Sequence, residues 1–226
     1  MRKTIKQMGY RLLMSNKLSQ SVAVKVSNIA FPGSAAYWEN RYRKNGNSGV
    51  GSYGKSAAYK ASVINKFAAE NNIRKVIELG CGDGNQLKQF EFPLYLGLDV
   101  SATAIEKCVA IFKQDNSKRF YIYNETTFAA NPELFTADLV LSLDVIYHLL
   151  EDEVYENYMQ KLFSSSSRFV IIYAWDVDGK QKYHVRHRKF SEWIALYKKD
   201  WHLVKRITNN TALTCDFFIY EKVDSL

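Results

Sequence analysis

Three glycines that alternate with other residues directly follow a short apolar segment, and this feature constrains the chain most. The segment Val76–Asn85 reads VIELGCGDGN. Its apolar residues predict a buried strand, and its glycines predict a tight turn that lets the backbone approach a ligand. A helix is expected to begin near Asn85. In an open parallel sheet, the crevice at the carboxyl end of such a strand binds nucleotide-like ligands.

Apolar segments alternate with helical patterns along the rest of the chain. Strands are predicted at 75–79, 94–98, 120–123, 138–143, 169–173, 202–207 and 215–221. Helices are predicted around 58–67, 101–112, 151–163 and 190–199, with Ser101 as an N-cap. This alternation predicts an α/β fold with a seven-stranded, mostly parallel, doubly wound sheet and helices on both faces. The last strand is expected to be antiparallel, because no helical pattern separates the final two.

A carboxylate at the end of the second predicted strand extends the glycine motif. Asp99 lies 21 residues after Glu78 and could accept two hydrogen bonds from a ribose diol. A dinucleotide fingerprint has the spacing G-x-G-x-x-G, whereas these glycines stand at positions 80, 82 and 84. Glu78, two residues before the first glycine, suits a cationic ligand better than a pyrophosphate.

The motif E-x-G-x-G-x-G, followed by L-G-L-D-V-S, resembles the class I S-adenosylmethionine-dependent methyltransferases. The resemblance extends over about residues 37–223 and follows the strand order. It implies S-adenosyl-L-methionine as the cofactor and S-adenosyl-L-homocysteine as the product. The sequence also resembles, more weakly, bacterial methyltransferases that act on small molecules or glycans.

The resemblance implies roles for individual residues of the cofactor site. Glu78 should lie near the cofactor ammonium, Asp99 should hold the ribose, and Val100 should pack on the adenine. The cofactor-binding residues that it implies are Glu78, Gly80, Cys81, Gly82, Asp99, Val100, Leu143, Asp144 and Val145. Asn124 or Glu125 is expected near the adenine amino group, although this segment departs from the common G-D form.

A loop with four glycines spans residues 45–54 and precedes the first predicted helix of the core. Tyr53 in this loop could cover the carboxypropyl end of the cofactor. The alternative is a plain mobile loop, and glycine-rich loops are often both mobile and functional.

A base near the transferred methyl group would be needed if the acceptor is a hydroxyl. His148, just beyond the fourth predicted strand, is the first candidate, and imidazole titrates near neutral pH. Asp144 and Asp176 are further candidates. The alternative for His148 is a local hydrogen bond that orients the loop.

A basic stretch predicts the substrate wall. The net charge of +8 divides into +6 over residues 1–38, −3 over 39–179, +7 over 180–206 and −2 over 207–226. In an extended segment His184, Arg186 and Arg188 share one face, which would suit a phosphate or carboxylate. These three are the candidate substrate-binding residues, and a solvated basic loop is the alternative. The expected reaction is O-methylation of an anionic small molecule or saccharide.

Two other functions stay open at this point. A nucleic-acid methyltransferase fits the pI of about 9.2, but it is disfavoured because Asp144-Val-Ile-Tyr replaces the N/D-P-P-Y/F motif of amino-methylating enzymes. The other is a non-catalytic binding module that keeps the fold, and the intact set of Glu78, Gly80, Gly82 and Asp99 counts against a loss of cofactor binding. Calorimetry with the cofactor separates a module that has lost binding from an enzyme.

The basic N-terminal segment defines the expected domain organisation. Residues 1–36 are expected to form an arm with an amphipathic helix, and residues 37–226 the methyltransferase domain. The arm could pack on the domain or contact a membrane surface. Three widely spaced cysteines argue against a zinc site or a disulfide framework, so no metal and a cytoplasmic location are expected. The sequence leaves the oligomeric state open.

Overall fold

The computed structural model describes residues 31–124, 131–179, 182–209 and 215–223. Residues 1–30, which make up most of the predicted arm, lie outside the described residues, as does Glu125.

The described strands form one seven-stranded sheet in the order β3-β2-β1-β4-β5-β7-β6. Its strands are β1 (Lys75–Leu79), β2 (Leu94–Asp99), β3 (Lys118–Ile122), β4 (Ala137–Leu143), β5 (Ser166–Ala174), β6 (Trp201–Ile207) and β7 (Asp216–Lys222). Strands β1 to β5 pair in parallel, whereas β7 runs antiparallel to both β5 and β6. The predicted fold class, including the antiparallel last strand, is confirmed.

Helices pack on both faces of this sheet. They are α1 (Ser34–Arg43), α2 (Gly54–Glu70), α3 (Ala102–Ile111), α4 (Asp152–Ser164) and α5 (Phe190–Tyr197). One apolar cluster joins the sheet to α2 and α3, and a second joins the other face to α4 and α5. The arrangement is therefore doubly wound, as the alternation of strands and helices predicts. Helix α1 begins within the segment that was expected to be an arm.

Strand β1 assigns its side chains to the two faces by simple alternation. Val76 lies in the cluster with α2 and α3, whereas Ile77 and Leu79 lie in the cluster with α4 and α5. Alternation therefore places Glu78 on the same face as Val76. The carboxyl group of Glu78 is buried beneath α2 for this reason.

Two local predictions had different outcomes. Ser101 is the N-cap of α3, because its Oγ accepts a hydrogen bond from the backbone N–H of Ala104 at 3.1 Å. The helix expected near Asn85 is only a 3₁₀ turn, Gln86–Gln89. The turn ends because the next residue, Phe90, has an extended backbone and a buried side chain.

Tyr158→Phe should reduce the free energy of unfolding by about 1–2 kcal/mol, because it leaves buried polar groups without a partner. The Tyr158 hydroxyl hydrogen-bonds the carbonyl of Leu79 at 3.0 Å and the hydroxyl of Ser142 at 2.8 Å. Urea denaturation measures the change. Tyr197→Phe is the control, because Tyr197 is exposed. Equal losses in the two variants would contradict the role of the buried hydroxyl.

Candidate functional site

A cavity of about 560 Å³ lies where β1, β2 and β4 end. Parallel strands bring their carboxyl ends to one edge of the sheet, so residues that are distant in sequence meet there. Ten of the predicted site residues line this cavity: Glu78, Gly80, Cys81, Gly82, Asp99, Val100, Leu143, Asp144, Val145 and His148. The structure therefore brings together most of the residues that the sequence singled out.

The turn after β1 depends on Gly80. Its φ is +85°, a region that residues with a side chain rarely adopt. The backbone N–H groups of Gly80 and Cys81 both donate to the carbonyl of Leu98, at 2.7 and 3.0 Å. A Cβ at position 80 would also lie 2.5 Å from a methyl group of Val145. Glycine is therefore required here both by the backbone conformation and by the lack of space.

Asp99 stands at the carboxyl end of β2 and is held by two backbone groups. Its Oδ2 accepts from the N–H of Gly82, and its Oδ1 accepts from the N–H of Ser101, both at 2.9 Å. Burial raises the pKa of Asp99 to about 6. Each carboxylate oxygen can accept a further hydrogen bond, so the group is suited to bind a pair of hydroxyls.

Glu78 is a buried acid at the centre of the same edge. It is 3% exposed, and Tyr95 donates its hydroxyl to Oε2 at 2.5 Å. Burial raises the pKa of Glu78 to about 7. A cationic ligand group in the cavity would favour the ionised form of this carboxyl.

Asp144 forms a buried ion pair with Lys60, a residue that the sequence analysis did not select. Lys60 Nζ lies 2.7 Å from Asp144 Oδ2, and the Lys60 side chain is 1% exposed. Tyr147 donates its hydroxyl to the other oxygen of Asp144 at 2.8 Å. Both oxygens of Asp144 therefore have partners within the wall. Because the protein itself supplies these partners, the predicted catalytic and cofactor-binding roles of Asp144 both stay predictions.

His148 is held as a neutral imidazole in one tautomer. Burial lowers the pKa of His148 to about 4. Its Nδ1 lies 2.8 Å from the carbonyl oxygen of His184, and a carbonyl can only accept, so Nδ1 carries the proton. Nε2 is then an acceptor on a ring that lines the cavity. The rings of His184 (stacked, 5.4 Å) and Trp38 (edge-on, 5.0 Å) fix the orientation of this imidazole.

The glycine-rich loop is fastened to the turn after β1. Tyr53 donates its hydroxyl to Asp83 at 2.8 Å, and Ser48 donates its N–H to the same carboxylate oxygen at 3.0 Å. The N–H of Asp83 donates back to Ser48 Oγ at 3.0 Å. Ser48 and Ser52 line the cavity. Tyr53 instead contacts Asp83, so its predicted cover over the cofactor is not seen in this arrangement and stays a prediction.

Asn124 follows β3 and is exposed, whereas the neighbouring Tyr123 lines the cavity. The predicted contact of Asn124 with an adenine therefore stays a prediction, and Tyr123 is the nearer candidate from this segment.

The basic stretch after β5 contacts the protein itself. Arg186 and Arg188 both lie within 3.0 Å of Asp152 Oδ1. Each also donates to the backbone carbonyl of Leu150. His184 stacks on Tyr37 at 4.9 Å. None of His184, Arg186 and Arg188 lines the cavity, so their direct contact with a substrate stays a prediction and their observed partners favour a structural role.

Several lining residues escaped the sequence analysis, among them Trp38, Tyr42, Ser48, Lys60, Gln86 and Tyr158. Lys60 did carry a signal, because it lies in the buried stripe of α2 with Ala57, Ala61 and Ile64. A lysine in such a stripe is rarely fully buried without a charged partner. The others have no local signature that distinguishes them from core or surface residues.

The outer part of the cavity lies between the start of α1 and the start of α4. Glu151 and Glu153 line it, and Ser34 donates its N–H and its hydroxyl to the two oxygens of Glu151 at 2.7 and 2.5 Å. Among the described residues, Lys60 is the only lysine or arginine in the lining of the whole cavity. The lining is therefore not basic, despite the net charge of the chain.

Within the described ranges, no group of three His, Cys, Asp or Glu side chains is placed to hold a metal ion. The helices of that same part of the chain are each too short or too polar to cross a membrane.

Comparison with known proteins relates this chain to a protein family. A family model described as a methyltransferase domain matches residues 71–214, which is more than half of the chain. No curated protein sequence matches this chain.

Solved methyltransferase structures share the fold at low sequence identity. Magnesium protoporphyrin IX methyltransferase (ChlM) from Synechocystis PCC 6803 has a TM-score of 0.55 and 14% identity, over 73% of this chain and 83% of that one. N-methyltransferase NodS from Bradyrhizobium japonicum WM9 has a TM-score of 0.58 and 12% identity, over 74% and 94%. These likenesses support the fold alone.

Glu78→Gln should change how stability depends on pH. Because the pKa of Glu78 is raised in the folded state, from 4.5 to about 7, its contribution to stability is present below about pH 4.5 and is lost as the pH rises through 7. The variant should therefore gain stability relative to the wild type between about pH 5 and pH 8, by on the order of 3 kcal/mol. Urea denaturation across this range measures it.

Glu106→Gln is the matched control, because Glu106 is exposed on α3. Its stability curve should run parallel to that of the wild type. A Glu78→Gln curve that also runs parallel would contradict the assignment of a raised pKa to Glu78.

Proposed function

Because the chain belongs to the methyltransferase domain family, we propose that it transfers a methyl group from S-adenosyl-L-methionine to a hydroxyl of a small molecule. The family is that of the class I S-adenosylmethionine-dependent methyltransferases, as the resemblance in sequence implied. S-adenosyl-L-homocysteine is then the product. The observation that carries the proposal is the edge of the sheet where Glu78, the glycine turn and Asp99 meet in one cavity beside His148.

The donor set of the cavity fits this cofactor. Asp99 keeps acceptor capacity for the two ribose hydroxyls, and Glu78 is a buried acid suited to the ammonium group. Val100, which is 42% exposed at the mouth, offers an apolar surface for the adenine. The cofactor supplies a methyl group that its sulfonium already activates, so the protein has mainly to position the acceptor and exclude water.

His148 is proposed to accept the proton of the hydroxyl acceptor. The Nε2 lone pair is available because the Nδ1 proton is bound to the carbonyl of His184. As the oxygen–methyl bond forms and the sulfur–methyl bond breaks, the acceptor oxygen becomes positively charged and its proton passes to Nε2. The low pKa of His148 keeps the imidazole unprotonated before that moment.

The acceptor is proposed to be a small molecule, with a saccharide included in that class. ChlM, whose fold is similar, is named for a porphyrin substrate, which supports a small-molecule acceptor. The expectation of an anionic acceptor has less support, because Arg186 and Arg188 are bound to Asp152 outside the cavity. A nucleic-acid acceptor lacks support for a similar reason, since the described lining is not basic.

An amine acceptor is the second candidate. Glu151 and Glu153 place two acids in the outer cavity, and a protonated amine would be attracted there before it loses its proton. NodS, which shares the fold, is named as an N-methyltransferase. A non-catalytic module is disfavoured because His148, the proposed base, lines the same cavity as the proposed cofactor-binding residues.

The domain organisation and the location of the protein are also proposals. An arm over residues 1–36 and a methyltransferase domain over 37–226 remain our proposal, with a membrane-surface contact of the arm as one possibility. The three described cysteines are all free and buried, which agrees with the proposed cytoplasmic location.

A methyl-transfer screen tests the proposed reaction. Labelled S-adenosyl-L-methionine should transfer its methyl group to members of a panel of nucleotide sugars, glycan fragments, hydroxylated small molecules and amines. Transfer to hydroxyls supports the first candidate, and transfer to amines alone supports the second. No binding of S-adenosyl-L-homocysteine by calorimetry would overturn the proposal.

His148→Gln should lower kcat by about 10²- to 10⁴-fold with the hydroxyl acceptor found in that screen, because it removes the proton acceptor. The Kd of S-adenosyl-L-homocysteine should stay close to the wild-type value. His202→Gln, at an exposed position on β6, is the control and should leave both quantities unchanged. An unchanged kcat in His148→Gln would refute the role of a base.

Asp99→Ala should raise the Kd of S-adenosyl-L-homocysteine by about tenfold or more, because hydrogen bonds to a charged group are lost. Calorimetry measures it, and thermal unfolding checks that the fold is kept. Asp200→Ala, at an exposed position, is the control. An unchanged Kd in Asp99→Ala would show that this carboxylate does not hold the ribose.

A further inference from the structure

A buried amide oxygen lies in the cavity wall without a partner. Gln86 is 4% exposed and belongs to the lining. Its Nε2 donates to the backbone carbonyl of Ala57 at 3.0 Å, whereas its Oε1 has no hydrogen-bond partner in the described chain. Buried polar atoms nearly always have a partner, so this oxygen calls for a donor that the described residues do not supply.

The orientation of this amide follows from its neighbour. The carbonyl of Ala57 can only accept, so the NH₂ group of Gln86 must face it. Turning the amide over would place two oxygens against each other. The Gln86 oxygen is therefore the atom left for a ligand.

Lys60, the only lysine or arginine among the described lining residues, lies one turn after Ala57 in α2. Lys60 follows Ala57 by three residues, which places both on one face of the helix. The ammonium of Lys60 binds Asp144 Oδ2 at 2.7 Å and has two further hydrogens to donate. Glu78 faces the same region and interacts electrostatically with Lys60. Two acceptors, Gln86 Oε1 and the carboxyl group of Glu78, thus line the same cavity as one cationic donor, Lys60.

We propose that Gln86 and Lys60 recognise the zwitterionic amino-acid end of the cofactor. Gln86 Oε1 accepts a hydrogen bond from the α-ammonium group, beside Glu78, and Lys60 donates to the α-carboxylate. The amino-acid end carries N–H groups that can donate to Gln86 Oε1 and carboxylate oxygens that can accept from a buried lysine. The inference rests on the proposed function, since it requires S-adenosyl-L-methionine to occupy the cavity.

The test compares Gln86→Met with Gln89→Met, a control in the same 3₁₀ turn that lies outside the lining. Calorimetry measures the Kd of S-adenosyl-L-homocysteine and of 5′-methylthioadenosine, which lacks the amino-acid end. Gln86→Met should raise the Kd of the first by roughly 10- to 100-fold and leave that of the second unchanged. Gln89→Met should change neither.

Two further reagents separate recognition from a structural role. Gln86→Glu keeps an acceptor oxygen and, when protonated, can still donate to Ala57, so it should bind S-adenosyl-L-homocysteine more tightly than Gln86→Met. An analogue of S-adenosyl-L-homocysteine that lacks the α-amino group should bind the wild type and Gln86→Met equally. Equal weakening of 5′-methylthioadenosine, or no weakening of S-adenosyl-L-homocysteine, would overturn the assignment of Gln86.

Lys60→Met tests the carboxylate contact, with Lys66→Met as the control on the exposed face of α2. The variant should weaken S-adenosyl-L-homocysteine by roughly tenfold or more and spare 5′-methylthioadenosine. If loss of the ion pair with Asp144 prevents folding, Lys60→Met is combined with Asp144→Asn, and the ratio of the two Kd values is compared with that of Asp144→Asn alone. An unchanged ratio would overturn the role of Lys60. Failure of the wild type to bind either ligand would instead overturn the proposed function.

Discussion

The left-handed turn at Gly80 is the constraint on which the candidate site depends. It lets the backbone of Gly80 and Cys81 donate to the carbonyl of Leu98, and this fixes the end of β1 against the end of β2. Glu78 and Asp99 are thereby held at the same edge of the sheet. A side chain at position 80 would push Val145 away and separate the loop after β4 from this edge. The three strand ends that form the cavity are thus joined at one residue.

The charged groups around this edge are partly compensated by other groups of the protein. Lys60 balances Asp144, and backbone N–H groups and the hydroxyl of Tyr95 stabilise Asp99 and Glu78. Burial of a carboxyl without such partners would cost several kcal/mol. The raised pKa values of Glu78 and Asp99 show that the compensation is partial. A cationic ligand group would complete it, which links the electrostatics of the cavity to the chemistry proposed for it.

Sequence reasoning predicts what local pattern determines and misses what distant contacts determine. The strand positions, the Ser101 cap and the glycine turn follow from residues close together in the chain. Ten of the predicted site residues line one cavity because the carboxyl ends of parallel strands lie at the same edge of the sheet. The pairing of Lys60 with Asp144 joins residues 84 positions apart, and no periodicity encodes such a contact. The helix expected to start near Asn85 is a short 3₁₀ turn, because the backbone becomes extended at Phe90, whose side chain is buried.

The basic stretch after β5 shows why net charge is a poor guide to the acceptor. Arg186 and Arg188 bind Asp152 and the carbonyl of Leu150, so they tie this stretch to the start of α4. That connection holds His184 against His148, whose ring is stacked with it at 5.4 Å. The arginines therefore contact the start of α4 and not the cavity. The outer cavity that we propose for the acceptor is lined by two acids, Glu151 and Glu153, although the chain as a whole carries a net charge of +8.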